Sequence, residues 1–390
     1  MPDSASAPDH DSHTIAATVR ADLRLPAGAR VAVAMSGGVD SSVVAALLVE
    51  AGYDVFGLTA RLYDVDLTEA AARKAGTCCA PEDARDARNV AQQLGISHYV
   101  LDEREAFHAA VIAPFVASYQ AGETPNPCVE CNRSLKFDAL VERALALGAV
   151  ALATGHYARL DVDIAGDAQL SRGVDVAKDQ AYFLYPMPQA VARLLRFPLG
   201  GLTKNEVRAH AARLGVATAN KAESMDICFV GNKSAQVYVH QTAGNKAGQV
   251  VDLAGTSLAQ HHGIAGFAVG QRHGLGLPAS RPDEPVRYVI DKRRDGTVVV
   301  GSHEDLRARS LVLRKSNWIS GQIPEIGKHY SVQVRHRGKA VAARVSAISA
   351  AGDGATVEIL GDLFAAGRGQ SAVLFDGDRV LGGGILAEVS

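Results

Sequence analysis

A glycine-rich hexapeptide between an apolar run and a helical run constrains the fold of this chain more than any other feature. The hexapeptide 36–41 reads Ser-Gly-Gly-Val-Asp-Ser; the apolar run 31–35 precedes it and a helical pattern over 42–51 follows it. Gly52 suits the C-terminal cap of that helix, and a second apolar run occupies 55–60. This order predicts a β-α-β unit, in which a crossover helix connects two parallel strands.

Further helical and strand patterns alternate after this unit. Helices are predicted over 84–94, 106–119 and 135–147, and strands over 98–101 and 149–154. We therefore predict an α/β fold with a parallel sheet that is covered by helices.

Beyond about residue 232 the pattern changes to short alternating runs that are broken by glycine. Examples are 287–290, 297–300, 331–334 and 356–359. Runs of this kind predict the antiparallel strands of a small barrel or sandwich.

The composition excludes several classes of protein. With 390 residues, 47 % hydrophobic and 21 % charged, the chain is predicted to form two or three packed domains of a soluble globular protein. Its apolar runs are far shorter than the roughly 20 residues of a membrane span, and its N-terminus lacks the features of a secretory signal. Five cysteines are too few for a disulfide framework, which favours reduced thiols and a cytosolic setting.

The charge is nearly balanced overall but basic in one stretch. Because the formal net charge is −2, a surface for nucleic acid would have to be local. Residues 309–345 contain eight Lys or Arg and one acid, Glu325. On composition alone, a solvated strand face explains this stretch as well as an RNA-binding surface does.

The glycine-rich loop lies at the start of a helix, which is a position that suits phosphate. Unpaired N–H groups and the helix dipole attract anions there. Gly37 and Gly38 allow a close approach, and Ser36, Ser41 and Ser42 offer hydroxyl donors. The lysine of a Walker A loop is missing, so transfer of a γ-phosphate is the weaker interpretation. A tight turn that binds nothing is the structural alternative.

Two cysteines far apart in the sequence suit the transfer of sulfur. Cys131 follows the proline-rich turn 124–127 near the start of a helix, where the dipole favours the reactive thiolate. Cys228 precedes Gly231 in a short segment that could form a mobile loop.

A zinc site is the alternative for the sequence Cys128-x-x-Cys131. Cys78 and Cys79 would have to supply the other ligands, but adjacent cysteines cannot easily both face one tetrahedral ion. We therefore expect Cys78 and Cys79 to be ordinary thiols of a core or loop.

Several motifs, in order, resemble those of the bacterial tRNA-specific 2-thiouridylases, which belong to the PP-loop ATP pyrophosphatases. The match runs from about Arg30 to the end of the chain. Besides the loop 36–41, the matching segments are Cys78–Asp83, Thr124–Asn132, Ala153–Arg159, Lys178–Gln180, Asp226–Phe229 and Gly270–Gly276.

The resemblance implies a division of the chain into domains. It predicts an adenine nucleotide alpha hydrolase-like, parallel-sheet PP-loop domain over 26–233, after a loose extension over 1–25. A small central domain over 234–308 and a C-terminal β-barrel over 309–390 that contacts tRNA would follow.

The resemblance implies that ATP is bound with magnesium. ATP would adenylate the carbon-2 oxygen of the wobble uridine of a tRNA and release pyrophosphate, because that oxygen is otherwise a poor leaving group. The residues that match the nucleotide site are Ala34, Met35, Ser36, Gly37, Gly38, Val39, Asp40, Ser41, Ala60 and Gly155.

The resemblance assigns the sulfur chemistry to two cysteines. Cys228 matches the carrier of a persulfide, whose sulfur attacks carbon 2 so that AMP leaves. Cys131 matches the nucleophile that attacks the Cys228 persulfide, either to liberate sulfide or to release the product, and a disulfide between the two then remains to be reduced.

Two further groups match contacts with tRNA, whose wobble base would have to flip out of its stack. Many relatives carry Asp at the position of Cys128. Arg335 and His336 fall in the basic stretch 309–345, which favours the interpretation of that stretch as an RNA surface. Asn126, Pro127 and Cys128 match the target-base contact, and Lys178, Asp179, Gln180, Arg335 and His336 match tRNA-binding residues.

The implied partners are tRNAs with a wobble uridine, those for lysine, glutamate and glutamine, and a protein that donates persulfide sulfur. No membrane partner and a cytoplasmic location are expected. A PP-loop ligase that adenylates a small-molecule carbonyl or carboxylate is the rival enzyme, but it gives Cys131 and Cys228 no task. A non-catalytic tRNA-binding or sulfur-carrier protein is the other rival, and the intact loop 36–41 weighs against it.

Overall fold

The computed structural model describes most of the chain. The described residues are 17, 19, 23–63, 81–163, 166–219, 221, 227–231, 233–277 and 285–390. Cys78 and Cys79 lie outside them, as do residues 224–226 of the Cys228 segment and most of the extension predicted over 1–25.

The bounds of the elements follow in chain order. The strands are β1 (Arg30–Ala34), β2 (Asp54–Arg61), β3 (Ser97–Asp102), β4 (Ala151–Ala153), β5 (Ala158–Val162), β6 (Ala168–Arg172), β7 (Leu195–Arg196), β8 (Gly248–Val251), β9 (Ser257–His261), β10 (Tyr288–Lys292), β11 (Val298–Gly301), β12 (Ser310–Trp318), β13 (His329–Gln333), β14 (Val341–Ile348), β15 (Ala355–Ile359), β16 (Ser371–Asp376) and β17 (Arg379–Val389). The α-helices with described bounds are α1 (Val39–Glu50), α2 (Pro81–Leu94), α3 (Arg104–Phe107), α4 (Ala113–Gln120), α5 (Pro127–Cys131), α6 (Leu140–Ala146), α7 (Gln189–Ala192), α8 (Lys204–Arg213) and α9 (Ala235–Ala243).

Five parallel strands form the sheet of the first domain, in the order β3-β2-β1-β4-β7. Strand β1 lies between β2 and β4 and is apolar because both faces of the sheet are covered; Val31, Ala32 and Val33 are fully buried. The chain proceeds outward from β1 in one direction and then returns to the other side of it at β4. Ligands of open α/β sheets bind at the carboxyl ends of the strands at such a switch point. The predicted α/β class and β-α-β unit are confirmed.

The helix that carries Cys131 begins earlier than the sequence pattern predicts. Helix α5 starts at Pro127, and a π-helical segment, Asn132–Ala139, joins it to α6. A prediction that starts at residue 135 misses this part because a π segment breaks the 3.6-residue period of apolar positions. Cys131 therefore lies in the second turn of a long helical segment, and Cys128 lies in the first.

The later part of the chain is built from two further sheets. The central one has the order β10-β11-β8-β9, and in the C-terminal one β12-β15-β14-β13-β16-β17 closes into a barrel because β12 also pairs with β17. The predicted C-terminal β-barrel is confirmed. The exact domain borders at 26, 234 and 309 remain predictions.

The barrel and the first domain share a sheet and a core. Strand β6 of the hairpin β5–β6 pairs with β17, through Ser171 and Arg379. The buried barrel residues Val373 and Phe375 belong to the same hydrophobic cluster as Phe137 of the π segment. The helix that carries Cys131 is therefore packed against the barrel as well as against the sheet.

No helix in the described ranges is long and apolar enough to cross a bilayer.

Candidate active site

The glycine-rich loop connects the carboxyl end of β1 to the first turn of α1. Gly37 has φ +70°, and a Cβ atom at this position would lie 2.1 Å from the carbonyl oxygen of Asp83. Only glycine fits, because the backbone is left-handed and the N-terminal turn of α2 packs directly on it. The glycine therefore serves the joint between two helices as well as the approach of a ligand.

Two of the three serines at the loop, Ser36 and Ser41, line the cavity, and the third, Ser42, binds the backbone. Ser41 Oγ accepts a hydrogen bond from the Ser36 N–H at 3.1 Å and lies 3.3 Å from Ser36 Oγ, so it closes the loop on itself. Ser42 is fully buried and donates to the Gly38 carbonyl at 2.8 Å. The expectation that Ser42 donates to phosphate is thus wrong, because its side chain points into the core.

A lysine far along the chain fastens the loop to α2. Lys221 Nζ donates to the Gly37 carbonyl at 3.0 Å and to carboxylate oxygens of Asp83 at 2.7 Å and Asp86 at 2.6 Å. Burial lowers the pKa of Lys221, but the two carboxylates outweigh that effect and raise it overall. The ammonium is therefore charged at neutral pH.

A second lysine compensates the acidic residue of the loop. Lys204 Nζ lies 2.7 Å from Asp40 Oδ1, and the hydroxyl of Tyr157 donates to the same oxygen at 2.8 Å. Two donors therefore fix the Asp40 carboxylate, and the Lys204 ammonium neutralises its charge beside the proposed phosphate site.

Two more of the predicted nucleotide residues lie where neighbouring strands end. Ala60 is at the carboxyl end of β2, and Gly155 follows β4. A Cβ atom at Gly155 would lie 3.0 Å from both Asp40 Cβ and the Ser41 nitrogen, so the backbone at 155 touches the start of α1. Three strand ends therefore converge on one place.

A buried histidine lies beside this point. His156 Nδ1 is 2.7 Å from Thr154 Oγ1, and Lys136 Nζ is 3.5 Å from Nε2. Because the ammonium can only donate, Nε2 accepts and Nδ1 carries the proton. Burial, and then the charge of Lys136, hold the pKa of His156 well below 6.5, so the ring is neutral at pH 7.

The turn before α5 is built by its cap. The Asn126 side chain accepts a hydrogen bond from the Cys128 N–H at 3.1 Å, and Pro127 occupies the first helical position. Cys128 is exposed, whereas Cys131 and Cys228 are half-buried, and all three are reduced thiols. Cys131 and Cys228 pack against the same apolar cluster, which includes Phe107 and Phe229.

A cavity of about 580 Å³ connects the loop with both cysteines. This volume lies within the roughly 300–1,000 Å³ that is usual for ligand pockets. The predicted site residues that line it are Ala34, Met35, Ser36, Gly38, Val39, Asp40, Ser41, Ala60, Pro127, Cys128, Cys131, Gly155, Lys178, Gln180, Cys228 and His336.

Four of the predicted residues do not line the cavity: Gly37, Asn126, Asp179 and Arg335. The Asp179 carboxylate accepts hydrogen bonds from Arg172 at 2.8 Å and from two backbone N–H groups, and the residue is buried. It shapes its loop rather than presenting a charge to a ligand. The Arg335 guanidinium donates to the Ala365 carbonyl.

His336 joins the barrel to the loop that carries Lys178 and Gln180. Its Nε2 donates to the Asp179 carbonyl at 3.0 Å, and its ring lies 4.4 Å from that of Phe183. The residues from the two domains thus form one continuous wall of the cavity.

Part of the basic stretch is neutralised by ion pairs. Arg314 pairs with Glu123, Lys328 with Asp376 and Arg344 with Glu358. The stretch presents less unmatched positive charge than its composition indicates.

The cavity is lined by more cations than the sequence motifs predict. Lys136, Lys178, Lys204, Lys221 and Arg337 line it, against two carboxylates, those of Asp40 and Asp83. Of these five residues, Lys178 alone is a predicted site residue. The other four are not predictable from the sequence, because isolated basic residues in unrelated segments give no local signal. The excess of positive charge suits a polyphosphate and an RNA backbone.

Among the residues that the structure describes, no group of three or more His, Cys, Asp or Glu side chains is arranged to hold a metal ion.

The chain matches known families and proteins along most of its length. The family model described as the tRNA methyl transferase HUP domain matches residues 29–232, its PRC-barrel domain matches 236–302, and an aminomethyltransferase beta-barrel domain matches 308–386. The tRNA-specific 2-thiouridylase MnmA of Parvibaculum lavamentivorans is 46 % identical over 369 residues, which cover 92 % of this chain and 91 % of that protein. The protein of the same name from Caulobacter vibrioides is 43 % identical over 95 % of this chain and 97 % of its own length.

Proposed function

The chain belongs to the tRNA-specific 2-thiouridylase family, and from this membership we propose how the residues of its cavity divide the reaction. The enzyme uses ATP to replace an oxygen of a tRNA uridine with sulfur. One observation carries the division of roles: the nucleotide loop and both cysteines line the same cavity. The activated oxygen and the incoming sulfur can therefore meet without diffusing through solvent.

ATP is proposed to bind at the carboxyl ends of β1, β2 and β4. The loop from Ala34 to Ser41 faces the phosphates with its backbone N–H groups, and Ala60 and Gly155 contribute backbone contacts. Attack of the carbon-2 oxygen on the α-phosphate then expels pyrophosphate and leaves an adenylate, which is a good leaving group.

Magnesium is proposed to arrive with the nucleotide. The carboxylates nearest the loop, Asp40 and Asp83, are each bound by a lysine, so they offer few vacant oxygens. Magnesium sites of this kind rely mainly on phosphate oxygens and water, with few protein ligands. Bound there, the ion would neutralise phosphate charge.

The sulfur steps are assigned to Cys228 and Cys131. The outer sulfur of a Cys228 persulfide attacks carbon 2, and AMP leaves with the bonding electrons of the carbon–oxygen bond. Cys131 thiolate attacks the inner sulfur, so that a Cys131–Cys228 disulfide forms and the sulfur leaves with 2-thiouridine. In the other order, Cys131 first releases sulfide from Cys228, and the sulfide attacks carbon 2. Both orders require a later two-electron reduction of the disulfide.

tRNA is proposed to enter from the side of the barrel. Carbon 2 lies on the base edge, so the wobble base must leave its stack to reach the cavity. Pro127 and Cys128, which line the cavity, would contact the base, and Asn126 would hold the turn that presents them. Lys178, Gln180, Arg335 and His336 would contact the flanking nucleotides, and Asp179 would hold the loop that presents them.

The partners follow from this chemistry. We propose that the substrates are the wobble-uridine tRNAs for lysine, glutamate and glutamine, that a persulfide-bearing protein reloads Cys228, and that the enzyme acts in the cytoplasm.

The test uses the complete chain, ATP, magnesium, a sulfide or persulfide donor and unmodified tRNA. We expect AMP and 2-thiouridine in equal amounts, measured by nucleoside mass spectrometry. Cys131→Ser and Cys228→Ser should lose persulfide-dependent thiolation but retain tRNA-dependent release of pyrophosphate. That half-reaction is the internal control, because it shows that folding and ATP binding are intact.

Other results would overturn parts of the assignment. AMP formation without tRNA would favour a small-molecule ligase. Persulfide-dependent thiolation by Cys228→Ser at the wild-type rate would refute the role of Cys228.

A further inference from the structure

All three parts of the chain meet at residues 122–124, which connect α4 to the turn before Cys131. The Glu123 N–H donates to the Ser118 carbonyl at 2.9 Å, which ties this segment to the end of α4. Only Pro125 and Asn126 separate Thr124 from the first residue of α5. The two prolines of the turn restrict its backbone, so the turn is stiff and a displacement of residue 124 moves α5 by a similar distance.

The barrel holds this segment with an ion pair. Arg314 Nη2, on β12, donates to Glu123 Oε1 at 2.9 Å and to Oε2 at 2.8 Å. The Glu123 side chain is only 12 % exposed, whereas that of Arg314 is 40 % exposed. The carboxylate is therefore committed to this partner, and solvent screens the pair only from the arginine side.

Backbone contacts from two parts of the chain complete the junction. The Thr124 N–H donates to the Arg368 carbonyl at 2.8 Å, and a Cβ atom at Gly369 would lie 2.7 Å from Glu123 Cβ. From the central sheet, Lys292 Nζ lies 3.4 Å from the Glu123 carbonyl oxygen. A Cβ atom at Gly122 would lie 2.6 Å from the Lys292 carbonyl oxygen.

We propose that Glu123 and Arg314 are positioning residues for Cys131, through which the barrel sets the place of the nucleophile. This rests on the proposed role of Cys131 in sulfur transfer. Neither residue lines the cavity, so the pair acts on the reaction through the turn 124–127 and α5. The barrel then has a second task besides contact with tRNA, because it fixes the geometry of the sulfur step.

The geometry of the pair predicts which substitution is tolerated. One nitrogen, Nη2, serves both carboxylate oxygens, so the pair does not use the fork of the guanidinium. A lysine ammonium can make the same two contacts, whereas a neutral glutamine cannot replace the charge. Arg314→Lys should therefore rescue what Arg314→Gln loses.

The test compares Arg314→Gln, Glu123→Gln and Arg314→Lys with a matched control, Arg344→Gln. Arg344 is also 40 % exposed and pairs with a glutamate, but its partner Glu358 lies within the barrel. Each variant is assayed for kcat and for the KM of tRNA in thiolation, for tRNA-dependent release of pyrophosphate, and for the rates at which iodoacetamide alkylates Cys131 and Cys228.

We expect Arg314→Gln and Glu123→Gln to lower the kcat of thiolation roughly 10- to 100-fold, since misplacement by about 1 Å has effects of this size. The KM of tRNA and the release of pyrophosphate should stay within about twofold of the wild type, and only Cys131 should change its alkylation rate. Arg314→Lys should restore most of the activity.

Three results would overturn the proposal: equal effects of Arg314→Gln and Arg344→Gln, a loss confined to the KM of tRNA, or no rescue by Arg314→Lys. If the wild type fails to thiolate, the proposed function fails, and the alkylation rate of Cys131 still tests the positioning. Arg314→Lys retains the charge, so it gives a folded comparison if the glutamine variants do not fold.

Discussion

The contacts of Lys221 predict that one substitution weakens both the fold and the nucleotide site. Lys221→Met removes the ammonium that holds the carboxylates of Asp83 and Asp86 and the carbonyl of Gly37. The methionine fills a similar volume, so the change isolates the charge and its three hydrogen bonds.

The size of the expected loss in the free energy of unfolding follows from the exposure of the three charged side chains. Loss of one partner from a fully buried ion pair costs about 3–5 kcal/mol, but exposed pairs contribute about 1 kcal/mol or less. Side-chain exposures of 20 % for Lys221, 7 % for Asp83 and 28 % for Asp86 place this cluster between these limits. The dipole of α2 partly supports Asp83 in the first turn of that helix. We therefore expect a loss of about 2–3 kcal/mol in the free energy of unfolding.

The assay is thermal unfolding together with calorimetric titration of ATP. For a domain of about 200 residues this loss corresponds to a decrease in Tm of about 4–12 °C. The dissociation constant of ATP should rise roughly tenfold or more, because the loop loses its anchor and two carboxylates are left without their cation beside the phosphates.

A control and a double variant separate the effect from a general loss of charge. Lys328→Met removes a cation from an exposed pair with Asp376, 2.9 Å apart, and should change Tm by less than about 3 °C. Lys221→Met combined with Asp83→Asn should recover part of the loss, because the second change removes one of the two carboxylates that no longer have Lys221 as a partner. A Lys221→Met variant with the Tm and ATP affinity of the wild type would refute the reasoning.

Gly37→Ala places a methyl group 2.1 Å from the Asp83 carbonyl oxygen and should abolish the release of pyrophosphate. The control is Gly28→Ala, where φ is +69° but no atom of the described residues is near; it should lower the free energy of unfolding by only about 1–2 kcal/mol. Lys204→Met removes the cation 2.7 Å from Asp40 and should raise the dissociation constant of ATP roughly tenfold, measured by calorimetry; an unchanged constant would contradict the role given to the pair. Burial first of all holds the pKa of His156 well below 6.5, so the unfolded chain binds the extra proton. The free energy of unfolding is therefore independent of the titration of His156 above about pH 6.5 and falls by about 1.4 kcal/mol per pH unit below it. Urea unfolding of His156→Gln at several pH values should lack this decrease.

The features that were predictable from the sequence are those that short segments determine. A fully apolar run, two glycines and a helical pattern are adjacent in the chain, so the loop from Ser36 to Ser41 could be placed on a β-α-β unit. The nucleophile candidates also came from short motifs, and the cavity contains Cys131 and Cys228 together.

Contacts between distant segments could not be predicted in this way. Lys221 lies 184 residues from the loop carbonyl that it binds, and Lys204 lies 164 residues from Asp40. A lone lysine in a loop has the same local pattern whether it is solvated or paired. Asp179 differs, because its partners Arg172, Gly173 and Ala181 are close in the sequence; its inward orientation depends on the conformation of its loop, for which the sequence gives no pattern.

The shared sheet of the hairpin β5–β6 has a consequence for synthesis. Strand β6 ends at Arg172, and its partner β17 begins only at Arg379. At roughly 5–20 residues per second, a ribosome needs about 10–40 s to make the intervening segment. During this interval the edge of β6 at Ser171, which pairs with Arg379 in the folded protein, remains open, and an unpaired strand edge favours association with other chains. Chains cut short before the barrel should therefore aggregate, and the yield of native enzyme should depend on how this one edge is protected during translation.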